Sequence, residues 1–191
     1  MNQKTKNEEL GRLSPEDFKK TAKTGVIVLL DNVRSLHNVG SVFRTCDAFL
    51  IETLYLCGYT GTPPSKEINK TALGATESVN WKHEKDIKSL ILTLKSQKVT
   101  VFAVEQAKNA VFLDNFEVAK NRKYAIVFGN EVNGVDQEVV DLCDDCIEIS
   151  QGGTKHSLNV AVSAGVVLWE RFLLVQGRQL SPPQGSPKMG M

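Results

Sequence analysis

The chain reads as an α/β protein, a mainly parallel sheet flanked by helices. Three observations predict this. Several short runs rich in β-branched residues are apolar at nearly every position, so both of their faces must be covered. These runs alternate with longer segments of helical character. At 191 residues and 41% hydrophobic content, the chain suits one compact core and is short for two.

Ser14-Pro15-Glu16-Asp17 opens a short helix, a serine cap followed by proline at the first helical position. Residues 26–30 and 53–57 read as strands with a helix near 39–49 between them, and 58–81 reads as a long loop. A helix near 84–97 leads to strands at 100–104 and 124–128. A helix at 135–142, a strand at 146–149 and a long apolar helix at 157–175 complete the order. Breaker-rich Ser181-Pro182-Pro183-Gln184-Gly185 predicts that order fades from Gln176. The expected organisation is an amino-terminal extension with a short helix over 1–24, one domain over 25–175 and a disordered tail over 176–191.

Net charge is +1, from 23 basic and 22 acidic residues, so any nucleic-acid surface must be a local patch. Residues 1–23 carry acidic side chains and no apolar stretch, and no window approaches the roughly 18 apolar residues of a membrane span. With four cysteines and no leader, the expectation is a soluble protein of the reducing cytoplasm. Cys143 and Cys146 have metal-like spacing but no second pair, so they read as structural thiols and no metal is assigned.

In a doubly wound sheet, ligands gather in the loops beyond the carboxyl ends of the strands. Three such loops carry unusual residues. After the first strand, Asn38 is expected to cap a helix, Gly40 to allow close backbone or ligand approach, and Arg44 to point along the same face toward a phosphate. A plain capped helix with a surface arginine stands beside that reading with equal weight. The fourth strand runs into Gly129-Asn130-Glu131-Val132-Asn133-Gly134, which lacks the lysine of a phosphate loop and the spacing of a dinucleotide fold. From Glu131 to Glu148 there are acidic residues and no lysine or arginine, so this stretch repels anions and would welcome a cationic ligand. Glu131 as a simple cap of the following helix carries comparable weight.

After the fifth strand, Gly152 and Gly153 make a loop able to clasp a planar ring, with Ile149 and Leu158 as apolar contacts, a plausible adenine slot. Ser157 reads as the cap of the last helix, and Asn159 falls inside its first turn, where a cap has no use for it. A polar pair at the mouth of an apolar helix points to a site.

Taken together, Asn38-x-Gly40-x-x-x-Arg44-Thr45, Phe128-Gly129-Asn130-Glu131-x-x-Gly134, and Ile149 followed by Ser157-Leu158-Asn159-Val160 resemble the SpoU/TrmH family of RNA ribose methyltransferases in the SPOUT superfamily. The resemblance spans about 25–172. It departs at Ser150, where the family commonly has proline. It implies an S-adenosylmethionine-dependent 2′-O-methyltransferase acting on tRNA or rRNA, a carboxyl-terminal deep trefoil knot, and a homodimer. By the same carry-over Gly129, Ile149 and Leu158 line the cofactor. Arg44, Asn38, Glu131, Ser157 and Asn159 form the reaction centre, with the arginine working near the partner subunit's cofactor.

Candidates for RNA phosphate contact are Arg34, Lys66, Lys70, Lys82, Lys155 and His156; no DNA partner is expected. Trp81 reads as a packing residue ahead of a base-stacking one. Two other classes stay open: a non-catalytic RNA-binding protein retaining the fold, and an α/β enzyme using another nucleotide.

Overall fold

The computed structural model describes residues 3–116, 119 and 122–175, so the expected tail lies outside the described residues. The sheet has seven parallel strands: β1 Val26–Asp31, β2 Thr53–Cys57, β3 Trp81–Glu84, β4 Thr100–Val104, β5 Val111–Phe112, β6 Tyr124–Phe128 and β7 Asp145–Glu148. Their order is β3-β2-β1-β6-β4-β7-β5. The helices are α1 Pro15–Lys20, α2 Leu36–Ala48, α3 Lys66–Ala72, α4 Ala75–Ser78, α5 Ile87–Ser96, α6 Gln137–Val140 and α7 Val160–Val175.

The all-apolar strands are explained by two cores, one on each face. Along β1, Val26, Val28 and Leu30 enter one core with α2, α3, α4 and α7, while Ile27 and Leu29 enter the other with α5 and α6. The same alternation divides Ile126 and Phe128 of β6 from Ala125 and Val127. Phe18 of α1 is buried in the first core, so the amino-terminal segment packs on the body of the protein.

Several local expectations are corrected. The supposed long loop over 58–81 holds α3, α4 and the start of β3. The helix expected from 84 begins at Ile87, because Glu84 still pairs in β3 and Asp86 caps α5 by accepting from the Lys88 amide. Ser35, not Asn38, caps α2 and accepts from the Asn38 amide at 3.3 Å. Gly40 serves a backbone approach: a Cβ there would sit 2.2 Å from the Ile68 carbonyl oxygen, so α2 and α3 touch only because the side chain is missing. Trp81 packs edge-on against Phe43, with ring centroids 6.2 Å apart.

Candidate active site

The register sets the carboxyl ends of four strands side by side: Leu30 beside Phe128, Phe128 beside Val104, and Val104 beside Ile147. The loops leaving these ends enclose a cavity of about 310 Å³, within the range of small-molecule sites. Val104, Phe128, Ile147, Ile149 and Leu158 give it apolar walls, and Gly129 and Ser157 also line it.

The loop after β6 closes on itself. A Cβ at Gly129 would lie 2.0 Å from the Gly134 carbonyl carbon and 2.3 Å from the Val135 nitrogen. Asn130 and Gly134 exchange backbone hydrogen bonds of 3.0 Å, and Asn130 Oδ1 accepts from the amides of Val132 and Asn133 at 2.8 Å. Glu105, at the end of β4, braces the turn by accepting from the Val135 amide at 2.9 Å.

A relay of side chains ties the three loops together, and its polarity follows from one end. The Ala161 amide donates to Asn159 Oδ1 at 2.9 Å, which fixes that oxygen and leaves the Asn159 amide nitrogen to donate to Asn38 Oδ1 at 3.1 Å. Asn38 Nδ2 then donates to Glu131 Oε1 at 2.8 Å. The remaining lone pairs of Glu131 take the amides of Ser35 and Arg34, each at 3.0 Å. Burial raises the Glu131 carboxyl, but the donors from Arg34, Asn38 and Ser35 outweigh it and hold the group below the ordinary glutamate range.

This geometry revises three roles. Asn159 is the cap of α7, which starts at Val160, so the residue expected inside the first turn closes the helix and the relay at once. Ser157 does not cap; it makes no hydrogen bond among the described residues and stands exposed at the cavity. Glu131 does not cap the following helix. It reaches 96 and 97 residues back to the loop after β1.

Arg44 is exposed on α2 and stands apart from the cavity lining. It shares a second hollow with Lys70, Thr71 and Gly165 of α7. Within one chain the structure therefore joins Asn38 and Asn159 to Glu131 of the cavity lining and leaves Arg44 outside it. Lys155 is exposed, and His156 lines the cavity while its carbonyl accepts from Gln106 Nε2 at 2.6 Å. Glu105 and Gln106 went unread in the sequence; the only signal was a polar pair directly after an apolar strand.

Among the described residues, the cavity lining includes the carboxylates Glu105, Glu131 and Glu148 and no lysine or arginine. Such a lining favours a cation and opposes a polyphosphate. Asp31, 2% exposed at the end of β1 and outside the cavity lining, has a carboxyl that burial and then Asp136 push up to about 6.

The sequence profile of the SpoU rRNA Methylase family matches residues 25–169. The chain is 33% identical over 162 residues, 85% of its length and 81% of the other, to a tRNA (guanosine(18)-2′-O)-methyltransferase of Thermus thermophilus. The crystal structure of a TrmH/SpoU tRNA modifying enzyme from A. aeolicus superposes with a TM-score of 0.74 at 30% identity, covering 85% of this chain and 82% of that one. An AdoMet-bound rRNA methyltransferase from Sinorhizobium meliloti superposes with a TM-score of 0.71 at 26% identity, covering 84% of this chain and 60% of that one.

Proposed function

The chain belongs to the SpoU rRNA methylase family, and from that membership we propose how its site works. The enzyme carries a methyl group from S-adenosylmethionine to a ribose 2′-hydroxyl of RNA, the classes being those its relatives act on, tRNA and rRNA. The observation that carries the reading is the cavity itself, apolar walled and rimmed by Glu105, Glu131 and Glu148 with no lysine or arginine among the described residues. It suits a nucleoside bearing a sulfonium and an ammonium, and it disfavours NAD and ATP, whose phosphates would meet carboxylates.

Bound there, S-adenosylmethionine supplies a methyl group already activated by its positive sulfur. The protein has to align the ribose oxygen behind that methyl so that the new C–O bond forms as the C–S bond breaks, and ease loss of the hydroxyl proton to solvent water. Gly129, Ile149 and Leu158 hold the cofactor. The exposed hydroxyl of Ser157 contacts the ribose, and Asn38, Glu131 and Asn159 keep the two sides of the cleft in register. Arg44 grips the neighbouring phosphate and stabilises the developing alkoxide. A guanidinium keeps its proton to a pKa above about 12, so a base made from Arg44 would be costly at neutral pH.

Arg44 does this in a homodimer. Val162, Val166 and Trp169, spaced four and three residues apart on α7, are 51%, 40% and 48% exposed, a stripe that a second copy would cover. The Arg44 hollow includes Gly165 on the same helix, so covering the stripe would set Arg44 at the subunit interface, from which the guanidinium serves the partner's cavity in this proposal. The deep trefoil knot belongs to the same proposal, in the segment whose loops 129–134 and 149–158 face each other across the cavity. Unpaired Cys46, Cys57, Cys143 and Cys146 support a reducing cytoplasm, and no helix among the described residues is long and apolar enough to cross a membrane.

Incubation with tritiated S-adenosylmethionine and total RNA, followed by mapping of ribose methylation, tests the activity. New 2′-O-methyl groups at a discrete site are expected, and calorimetry should register S-adenosylmethionine ahead of NAD and ATP. RNA binding with no methyl transfer would revive the non-catalytic alternative.

A further inference from the structure

We propose that Tyr59 is the stacking platform for the base of the nucleotide whose ribose is methylated. This rests on the reading of the cavity as an RNA methyltransferase site. Tyr59 is 61% exposed at the carboxyl edge of the sheet, and a single exposed tyrosine would be unremarkable but for how it is held. Its backbone amide donates to Asn32 Oδ1 at 3.1 Å. Its neighbour Thr60, 3% exposed, donates its hydroxyl to the Leu30 carbonyl at 3.0 Å and accepts from the Val33 amide at 2.9 Å. On the other side the Gly58 amide donates to the Glu84 carbonyl at 2.9 Å, and φ of +60° at Gly58 lets the chain turn against Asn32.

The ring itself leans toward the chemistry. Its hydroxyl accepts from Asn130 Nδ2 at 3.3 Å, and Asn130 lines the cavity and organises the turn after Gly129. The bond from Val33 to Thr60 also ties the Tyr59 loop to the segment carrying Arg34, whose exposed side chain is free to meet a phosphate. A flat, pre-positioned face thus lies beside Asn130 at the cavity, on a loop tied to the segment that carries Arg34. Little conformational freedom remains for it to lose when a base settles on it. Every base has a π-face, so the ring supplies affinity for RNA and leaves base identity to other groups.

The test uses full-length protein and labelled, unfractionated small RNA as the probe, in filter binding and in methyl-transfer kinetics. Tyr59→Ala should weaken RNA binding and raise the RNA KM roughly tenfold or more. Tyr59→Phe should recover most of that loss, and both variants should remain dimeric with S-adenosylmethionine affinity within about twofold of wild type. Equal losses in Tyr59→Phe and Tyr59→Ala would mean that the hydroxyl bond to Asn130 matters and the ring face does not. Loss of the dimer or of cofactor affinity in Tyr59→Ala would make the ring a structural residue. Unchanged RNA binding would also overturn the proposal. Filter binding needs no turnover, so a wild-type protein that binds RNA without methylating it would count against the enzymatic reading alone.

Discussion

Asn159 donates its side-chain amide to Asn38 Oδ1 at 3.1 Å, joining residues 121 apart in the chain, while its own oxygen caps α7 through the Ala161 amide at 2.9 Å. One side chain therefore sets the start of the last helix and the position of Asn38, which in turn holds Glu131. Asn159→Ala removes a cap and the relay together, and a loss of about 1–2 kcal/mol is expected by thermal or urea unfolding. Asn38→Ala should cost about 1 kcal/mol, and the double variant less than the sum, because the shared bond is counted twice. Strict additivity in that cycle would show that the two amides are not coupled.

The parts of this site that were legible in the sequence are those whose neighbours leave no choice. β1, β4 and β6 could be read because both faces are buried, which requires apolar residues throughout. β3 was missed because Trp81-Lys82-His83-Glu84 is an edge strand with no buried residue to reveal a pattern. α3 and α4, of 7 and 4 residues, are too short for helical periodicity to emerge. The caps were misread for another reason. Ser35 and Asn38 are both good cap residues, as are Ser157 and Asn159, and which one caps depends on Glu131, a residue from a different loop. Local preference cannot see a partner 93 residues away, and the bond from Asn38 to Glu131 decides the matter.

Gly129 should be the least replaceable residue of the loop after β6. In Gly129→Ala the new methyl group would meet the Gly134 carbonyl carbon at 2.0 Å, and backbone on both sides leaves no side chain to yield. The turn must open, displacing Asn130 and Glu131 with it. Calorimetry should show S-adenosylmethionine affinity falling by at least about tenfold, with circular dichroism reporting an otherwise folded sheet. Undiminished affinity would remove the loop from the cofactor site.

Asp31 makes stability depend on pH in a definite direction. Its folded-state carboxyl is raised from 3.8 to about 6, so between those values the folded protein holds a proton that the unfolded chain has released. Stability contributed by this group is therefore full below about 3.8, falls as pH rises from there to about 6, and stays low above it. Asp31→Asn can still accept from Asn32 Nδ2, as Asp31 does at 3.0 Å, but cannot ionise. The variant's advantage over wild type should grow with pH and level off above neutrality, with an upper bound of about 3 kcal/mol. Parallel unfolding curves from pH 5 to pH 8 would contradict the assignment.

The proposed dimer can be tested by complementation. Leu158→Arg blocks a cavity wall with a cation and should abolish cofactor binding without unfolding, since Leu158 is 40% exposed. Arg44→Ala leaves the cavity intact and should bind S-adenosylmethionine normally while losing methyl transfer by roughly a hundredfold or more. If each arginine serves its own chain, a mixture of the two variants stays inactive, because no subunit keeps both parts. If it serves the partner, a mixed dimer pairs the sound cavity of one subunit with the arginine of the other, and activity returns on co-refolding. Val162→Glu with Val166→Glu supplies the control. Charges on the exposed stripe of α7 should yield monomers by sedimentation that bind cofactor and do not transfer methyl groups. A fully active monomer would return Arg44 to its own cavity.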